Sequence, residues 1–202
     1  TLILTEGDSA KSLAVGSLSV VGRDRYGVFP LKGKVLNVRE ASNKQLRDNA
    51  EIAAIKTILG LQHSKKYEKR DDDEGLRYGR VMLMTDQDHD GSHIKGLVIN
   101  MLHHFWPALL KRKGYIVEFV TPLVKAFPRN AAGKGSGREV KSFYTSRDFE
   151  SWHGSLSESE RLGWKIKYYK GLGTNNSEEG KAYFKQLENK HKIEMVWRGD
   201  ED

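Results

Sequence analysis

Val81-Met82-Leu83-Met84-Thr85-Asp86-Gln87-Asp88-His89-Asp90-Gly91 is the stretch on which the fold turns. Four apolar residues run into three aspartates at alternating positions. A short apolar run ending in a polar, glycine-punctuated turn reads as a buried strand reaching its C-terminal end. In an open α/β sheet that end is where ligands bind. Three carboxylates there repel one another, and aspartate is among the residues least often buried without a partner. A divalent cation between them is the simplest positive partner.

Upstream, Thr1 to Thr5 is a β-rich run ending in the acidic turn Glu6-Gly7-Asp8-Ser9. Asp8 or Ser9 is expected to cap a helix carrying Ala10, Leu13, Ala14 and Leu18 on one face. Glu6 then stands at a strand end of the same kind as Asp86. Tyr26 to Pro30 reads as a further strand, followed by Leu31-Lys32-Gly33-Lys34. Ser42-Asn43-Lys44-Gln45 is a capping-box pattern. The helix it opens is expected to carry Leu46, Ile52, Ile55, Ile58 and Leu59 and to stop at Gly60. In the charge-dense segment from Ser64 to Gly75, Asp71-Asp72-Asp73-Glu74 has no apolar strand or helix to orient it and reads as a solvated loop.

Downstream, Ser92 to about Lys111 has Ile94, Leu97, Val98, Met101, Leu102, Phe105 and Leu109 at helical spacing. Pro107 should kink or end that helix. Tyr115 to Phe127 is strand-rich, with a bend or edge at Pro122. Arg129 to Arg138 reads as a flexible Gly/Ser-type loop. A short strand is expected at Phe143 and Tyr144. In Trp164 to Tyr168, apolar and basic residues alternate, so one face packs and the other carries Lys165 and Lys167. Tyr169-Lys170-Gly171-Leu172-Gly173-Thr174 follows. Ser177 is expected to cap a last helix, with Glu178 and Glu179 in its first turn and Phe184 and Leu187 in the core. Asp200 to Asp202 reads as a frayed acidic end. There is no internal repeat. Strands alternate with helices over the first hundred residues, which argues for an α/β fold with a mostly parallel sheet and helices on both faces.

The chain has 202 residues, enough for one large domain or one domain with insertions. It opens inside a hydrophobic run without an initiator Met or a leader, as expected of a piece of a longer protein. No apolar run approaches the ~18 residues a membrane span needs, so no membrane partner is expected. The absence of cysteine excludes disulfides and Cys-based zinc sites and fits an intracellular protein. Lys+Arg 34 against Asp+Glu 27 gives a net charge of +7. That balance suits a polyanionic partner, and ordinary solubility explains it equally well.

Asp86-Gln87-Asp88-His89-Asp90-Gly91 matches the first half of a calcium-binding EF-hand loop, but the position that must be Glu is Leu97. The preceding segment is also β-like rather than helical. Helix capping accounts for one aspartate of the three. Hard carboxylate oxygens without Cys favour Mg²⁺ or Mn²⁺ over zinc. Two such ions ~4 Å apart can stabilise both the attacking and the leaving oxygen of a phosphoryl transfer, and Glu6 completes the acidic set. His89 and His93 flank the turn and need not share a face; His103 and His104 read as surface or core residues. Gly27 to Lys34 has five residues between its glycines and Val35 after the lysine, so it is not a P-loop. Gly171 and Gly173 lack the third glycine of a dinucleotide fingerprint, because residue 176 is Asn. Lys32, Lys34 and Arg39 follow one strand, and Lys165, Lys167 and Lys170 line another. If the two groups converge beside the acidic cluster they can bind backbone phosphates; otherwise they are a scattered solvated surface.

With these residues laid out, the sequence closely resembles the Toprim domain of type IIA DNA topoisomerases in its eukaryotic form. The resemblance rests on Glu6-Gly7-Asp8-Ser9-Ala10, Pro30-Leu31-Lys32-Gly33-Lys34, Leu36-Asn37-Val38-Arg39-Glu40, Met84 through His93, and Tyr168 through Thr174. These motifs stand in the family's order and cover nearly the whole chain. The resemblance implies one Toprim unit over residues 1–202, a Rossmann-like sheet with a C-terminal strand and helix extension. It implies two magnesium ions, with manganese as a substitute: Glu6 and Asp86 hold the catalytic ion at the scissile phosphate, and Asp86 and Asp88 hold the second. Asp90 is implied as a supporting carboxylate. Glu6 is further implied as general acid or base for the 3′ hydroxyl. Lys32, Lys34, Asn37 and Lys170 are implied as DNA contacts.

Gly7, Asp8 and Lys32 line the place where the family's DNA-intercalating poisons bind. The family often has Arg at the position of Lys32, and lysine lacks that planar bidentate fork. The partners implied are duplex DNA, a winged-helix domain carrying the nucleophilic tyrosine, and a second copy in a full-length homodimer. ATP enters only through a domain absent from this chain, and the implied location is the nucleus. None of the eight tyrosines here stands in the winged-helix context.

Overall fold

The computed structural model describes residues 1–129 and 139–199. The flexible loop expected from Arg129 to Arg138 and the frayed end expected at Asp200 to Asp202 therefore lie, Arg129 aside, outside the described residues. Strand β1 (Leu2–Glu6) passes directly into helix α1 (Gly7–Val21), and β2 (Gly27–Leu31) follows. Helices α2 (Asn43–Asp48) and α3 (Ala50–Leu59) precede β3 (Val81–Met84). After β3 come α4 (His89–Phe105), α5 (Pro107–Lys111) and β4 (Ile116–Phe119). The remaining elements are β5 (Val124–Pro128), β6 (Lys141–Phe143), α6 (Ser146–Gly154), α7 (Glu158–Leu162), β7 (Trp164–Tyr168), α8 (Ser177–Lys185) and β8 (Lys192–Glu194).

Five strands form the main sheet in the order β2-β1-β3-β4-β8. The first four run parallel and β8 runs antiparallel at the edge. The period-two alternation of a strand sorts its side chains onto two cores. Leu2, Leu4, Val81, Leu83 and Ile116 point into one with α3, α4 and α5. Ile3, Met82, Met84, Val117 and Phe119 point into the other with α1 and α8. Both faces are covered, which is why β1 and β3 are apolar at nearly every position. A Cβ at Gly180 of α8 would stand 2.5 Å from the Leu13 side chain of α1, so these two helices pack with no room for a methyl group. A second, three-stranded antiparallel sheet, β6-β5-β7, is built from the C-terminal part of the chain.

Four helix starts differ from the expectations. The helix expected to run unbroken from Ser42 to Gly60 is two helices. Asn49 adopts an extended conformation and its side chain caps α3 by accepting from Ile52 N at 2.8 Å. The expected capping box of Ser42 and Gln45 is present on α2, and Gly60 takes the left-handed φ of 76° at the end of α3. Helix α4 begins at His89 rather than Ser92, because Asp88 Oδ1 accepts from Gly91 N at 2.8 Å. Neither Asp8 nor Ser9 caps α1: Glu6 occupies that position and makes no side-chain cap. Asn176, not Ser177, caps α8, in a reciprocal box with Glu179. Pro107 acts as expected, ending α4 and opening α5 as its first residue.

The acidic segment Asp71-Asp72-Asp73-Glu74 is not wholly solvated. Asp73 accepts from Arg112 Nη1 at 3.0 Å and Nη2 at 2.7 Å, and Arg112 also donates to the carbonyl of buried Tyr67. A forked donor binding a carboxylate through two parallel bonds pins this loop to the end of α5.

The break at Asn49 generates a test. Asn49→Ala removes the only side-chain cap of α3 and should destabilise the protein by about 1 kcal/mol in urea denaturation, whereas Asn49→Asp should leave the midpoint close to its starting value.

Candidate functional site

Parallel pairing of β1 with β3 sets Thr5 against Met84. Glu6 follows Thr5 directly and Asp86 follows Met84 after Thr85, so both leave the sheet at its C-terminal edge. Glu6 Oε2 accepts from Asp86 N at 3.0 Å, a bond joining residues 80 apart in sequence. This explains why Glu6 does not cap its own helix: its carboxylate is already committed across the strands. Asp86 Oδ1 in turn accepts from Leu172 N at 2.7 Å, from a 3₁₀ turn at Leu172–Thr174 that follows β7. Asp88 caps α4. Asp90, on the first turn of α4, pairs with Lys34 Nζ at 3.0 Å, from the turn after β2.

Two glycines make this packing possible. A Cβ on Gly91 would lie 2.0 Å from the Asp86 carbonyl oxygen, and one on Gly171 would lie 2.4 Å from Asp86 Oδ2. Asp86 is thus gripped on its backbone by the start of α4 and on its carboxylate by the turn after β7.

The electrostatics follow from this crowding. Burial raises the Glu6 carboxyl above its ordinary pKa; the Asp86 amide opposes that shift, and the charges of Asp86, Asp88 and Asp90 reinforce it. Asp90 is exposed, and the hydrogen bond and charge of Lys34, with smaller help from His93 and His89, hold its carboxyl below the usual range. Among the described residues, no three acidic or imidazole side chains converge as a ready-made metal cage. The donors nonetheless fit a hard cation. They are all carboxylate oxygens, magnesium takes only one or two of these and keeps most of its water, and Glu6 is already destabilised as an anion by burial and by its acidic neighbours.

The basic residues divide. Lys34 pairs with Asp90, and exposed Lys170 lines a cavity that Asp88 also lines. Lys32 is exposed, with its backbone N donating to Glu51 Oε1 at 2.6 Å. Asn37 Oδ1 accepts from Asn100 Nδ2 of α4 at 2.9 Å. Two expected phosphate binders are otherwise engaged: Lys167 lies 3.3 Å from Glu179, and Arg39 Nη2 is 2.7 Å from His103 Nδ1. Gly7 takes a left-handed φ of 72° between Glu6 and exposed Asp8, which lets the chain turn from strand to helix without a loop. His89 and His93 are both exposed on the first turn of α4. The sequence reading missed the Leu172 N–H and the group of Tyr169, Lys125 and Glu179 behind it. Glu179 three residues after Asn176 was the available signal, as the third position of a capping box.

Comparison with known proteins places this arrangement. The family model described as the Toprim domain matches residues 1–122, and that described as the C-terminal associated domain of TOPRIM matches residues 119–202. The chain is 57% identical over 201 residues to the mitochondrial DNA topoisomerase 2 of Dictyostelium discoideum, covering 100% of this chain and 15% of that protein. It is 54% identical over 202 residues to human DNA topoisomerase 2-alpha, covering 100% of this chain and 12% of that one. The chain thus spans a small fraction of the length of these relatives. Among solved structures, the Plasmodium falciparum topoisomerase II DNA-binding, cleavage and re-ligation domain superposes with a TM-score of 0.86 at 56% identity, covering 98% of this chain and 25% of that one. No helix among the described residues is long and apolar enough to cross a membrane.

The raised pKa of Glu6 has a signed consequence. Below the ordinary carboxylate range Glu6 is protonated whether folded or not; as pH rises through its raised folded pKa, ionisation costs stability. Glu6→Gln should therefore raise the urea midpoint at neutral pH in metal-free buffer, and that gain should vanish in acid. An equal gain at both pH values would show that charge at Glu6 is not its source.

Proposed function

This chain belongs to the Toprim family, and on that premise we propose that it is the metal-binding half of the DNA cleavage and religation site of an ATP-dependent type II DNA topoisomerase. The whole enzyme, a homodimer, passes one duplex through a transient double-strand break in another. The observation that carries this reading is the bond from Asp86 N to Glu6 at 3.0 Å, which assembles two carboxylates at one sheet edge. Lys34, paired with Asp90, and Lys170, in a cavity lined also by Asp88, support a path for the DNA backbone beside them.

Glu6 and Asp86 would hold the ion at the scissile phosphate, Asp86 and Asp88 would hold a second, and Asp90 would support them. Magnesium, or manganese in its place, supplies charge neutralisation at the phosphate oxygens when bound. Glu6 has a second task, as the general acid or base that gives and takes the proton of the 3′ oxygen. Lys34, Lys32 and Lys170 bind backbone phosphates as point charges, and Asn37, oriented by Asn100, adds a polar contact.

The nucleophilic tyrosine belongs to a winged-helix domain elsewhere in the enzyme. Tyr169 is buried and donates to Glu179, and the exposed Tyr168 packs edge-on against Phe149 at 5.6 Å. Gly7, Asp8 and Lys32 form the part of the DNA gate that faces intercalating poisons. Residues 1–202 act as one Toprim unit with its C-terminal extension, ATP is handled by a separate domain, and the enzyme works in the nucleus.

Two measurements test this. In the full-length enzyme, Asp86→Asn should lower Mg²⁺-dependent cleavage by about 100-fold or more, the scale on which loss of a charge-stabilising group acts, with DNA affinity largely kept. Undiminished cleavage would falsify the metal-site reading. Separately, Lys34→Ala should reduce the slope of log affinity against log salt by about one and weaken binding evenly across DNA sequences; an unchanged slope removes Lys34 from the phosphate contacts.

A further inference from the structure

Asp86 owes the position of its carboxylate to one backbone group, the N–H of Leu172. Leu172 is buried against the core that contains Ile3 and Met84, but its amide direction is set by the loop it belongs to. That loop leaves β7 at Tyr169 and reaches α8 at Asn176. Tyr169 is fixed by its N donating to Leu123 O at 2.9 Å and by its hydroxyl donating to Glu179 Oε1. Asn176 N donates to Glu179 Oε2 at 3.1 Å. One carboxylate therefore holds the loop at both ends, through its two oxygens, with Gly171 and Leu172 between them.

The clasp is itself braced. Lys125 Nζ of β5 lies 3.6 Å from Glu179 Oε1, and its side chain is only 13% exposed. Lys167 Nζ of β7 lies 3.3 Å from Glu179 Oε2. Lys125 sits 4.6 Å from the Tyr183 ring centre, and Lys167 sits 4.3 Å from that of Tyr169, both in cation–π range. Burial disfavours the charged form of Glu179, but the Tyr169 hydroxyl, the Asn176 amide and the lysines outweigh it and hold the carboxyl below its usual range. Burial, with the Glu179 bond, raises Tyr169, which stays a donor. There is no slack at the far end of this linkage: a single methyl on Gly171 would overlap Asp86 Oδ2. The Leu172 amide and the close approach of Gly171 therefore couple the loop's position to that of the Asp86 carboxylate.

We propose that Glu179, acting through Tyr169 and the Leu172 amide, is a positioning residue for Asp86 and so sets the cation affinity of the acidic site. This rests on the metal-site reading above and adds to it a residue on α8 that touches neither DNA nor cation.

The test uses the full-length enzyme without nucleotide. Mn²⁺ binding is followed by electron paramagnetic resonance of the free ion, and the Mg²⁺ dependence of DNA cleavage is measured in parallel. Tyr169→Phe deletes one hydroxyl and keeps the ring; Glu179→Gln keeps the shape and deletes the charge. Each should weaken Mn²⁺ binding and shift the half-saturating Mg²⁺ concentration upward by about 10-fold, the lower end for loss of a group that orients a ligand. Maximal cleavage at saturating Mg²⁺ and DNA affinity should be retained. Asp86→Asn is the reference. If it weakens Mn²⁺ binding while Tyr169→Phe and Glu179→Gln leave it unchanged, the positioning role is wrong and the metal site stands. If Asp86→Asn itself leaves Mn²⁺ binding unchanged, both readings fall. A loss of maximal cleavage in the two variants that saturating Mg²⁺ does not restore would also overturn the proposal.

Discussion

Everything at this site depends on a repulsion that the backbone is arranged to resist. Glu6 and Asp86 are like charges, and left to themselves they separate. Parallel pairing of β1 and β3 forbids it, and the amide of Asp86 pointing at Glu6 gives the second carboxylate a donor where it would otherwise meet only an anion. The sheet supplies the rigidity, since both strands are buried on both faces by two separate cores. The Glu6 carboxyl lies above its ordinary pKa, chiefly because it is partly buried, and the charges of Asp86, Asp88 and Asp90 add to that. A site held together against its own charge is poised to favour whatever positive ligand arrives.

How much of this was legible in the sequence depended on how local each signal was. The apolar run of β3 and the long periodicity of α4 survived into the structure, because strand and helix periods are written in neighbouring residues; β7 formed where expected, but Tyr168, on the face expected to pack, is exposed. The pairing of Glu6 with the aspartate cluster followed from two strand ends of one kind. Helix starts were read less well because several polar residues compete for each one. At α1 the expected caps lost to a long-range bond, and at α3 Asn49 interrupted a pattern whose apolar spacing continued through it. The Leu172 amide was invisible: a backbone N–H carries no residue-type signature, and only the glycine beside it hinted at a close approach. The fates of Lys167 and Arg39 were equally hidden, since a basic residue in sequence does not announce whether an acidic or imidazole partner waits for it in space.

The two sheets divide the labour. The parallel sheet carries the carboxylates, while the antiparallel one reaches them through a single amide at the end of β7 and a polar cluster around Glu179. Buried ion pairs rarely add much net stability, because desolvation offsets their attraction. Their value here is geometric: a carboxylate with two lysines, a phenol and an amide as partners has few alternative arrangements.

Asp88 sits where two demands meet. Its Oδ1 receives the Gly91 amide, so the residue that offers charge to the acidic edge is also the one that starts α4. Asparagine there keeps the cap and drops the charge; glutamate keeps the charge and sets it a methylene away from cap geometry. Aspartate alone serves both. If a cation draws on this carboxylate, its occupancy and the winding of the first turn of α4 become reciprocally linked: the effect of each on the other is the same free energy, with the same sign. Asp90 and its bond to Lys34 ride on that turn, so filling the acidic edge would also set how firmly Lys34 is held.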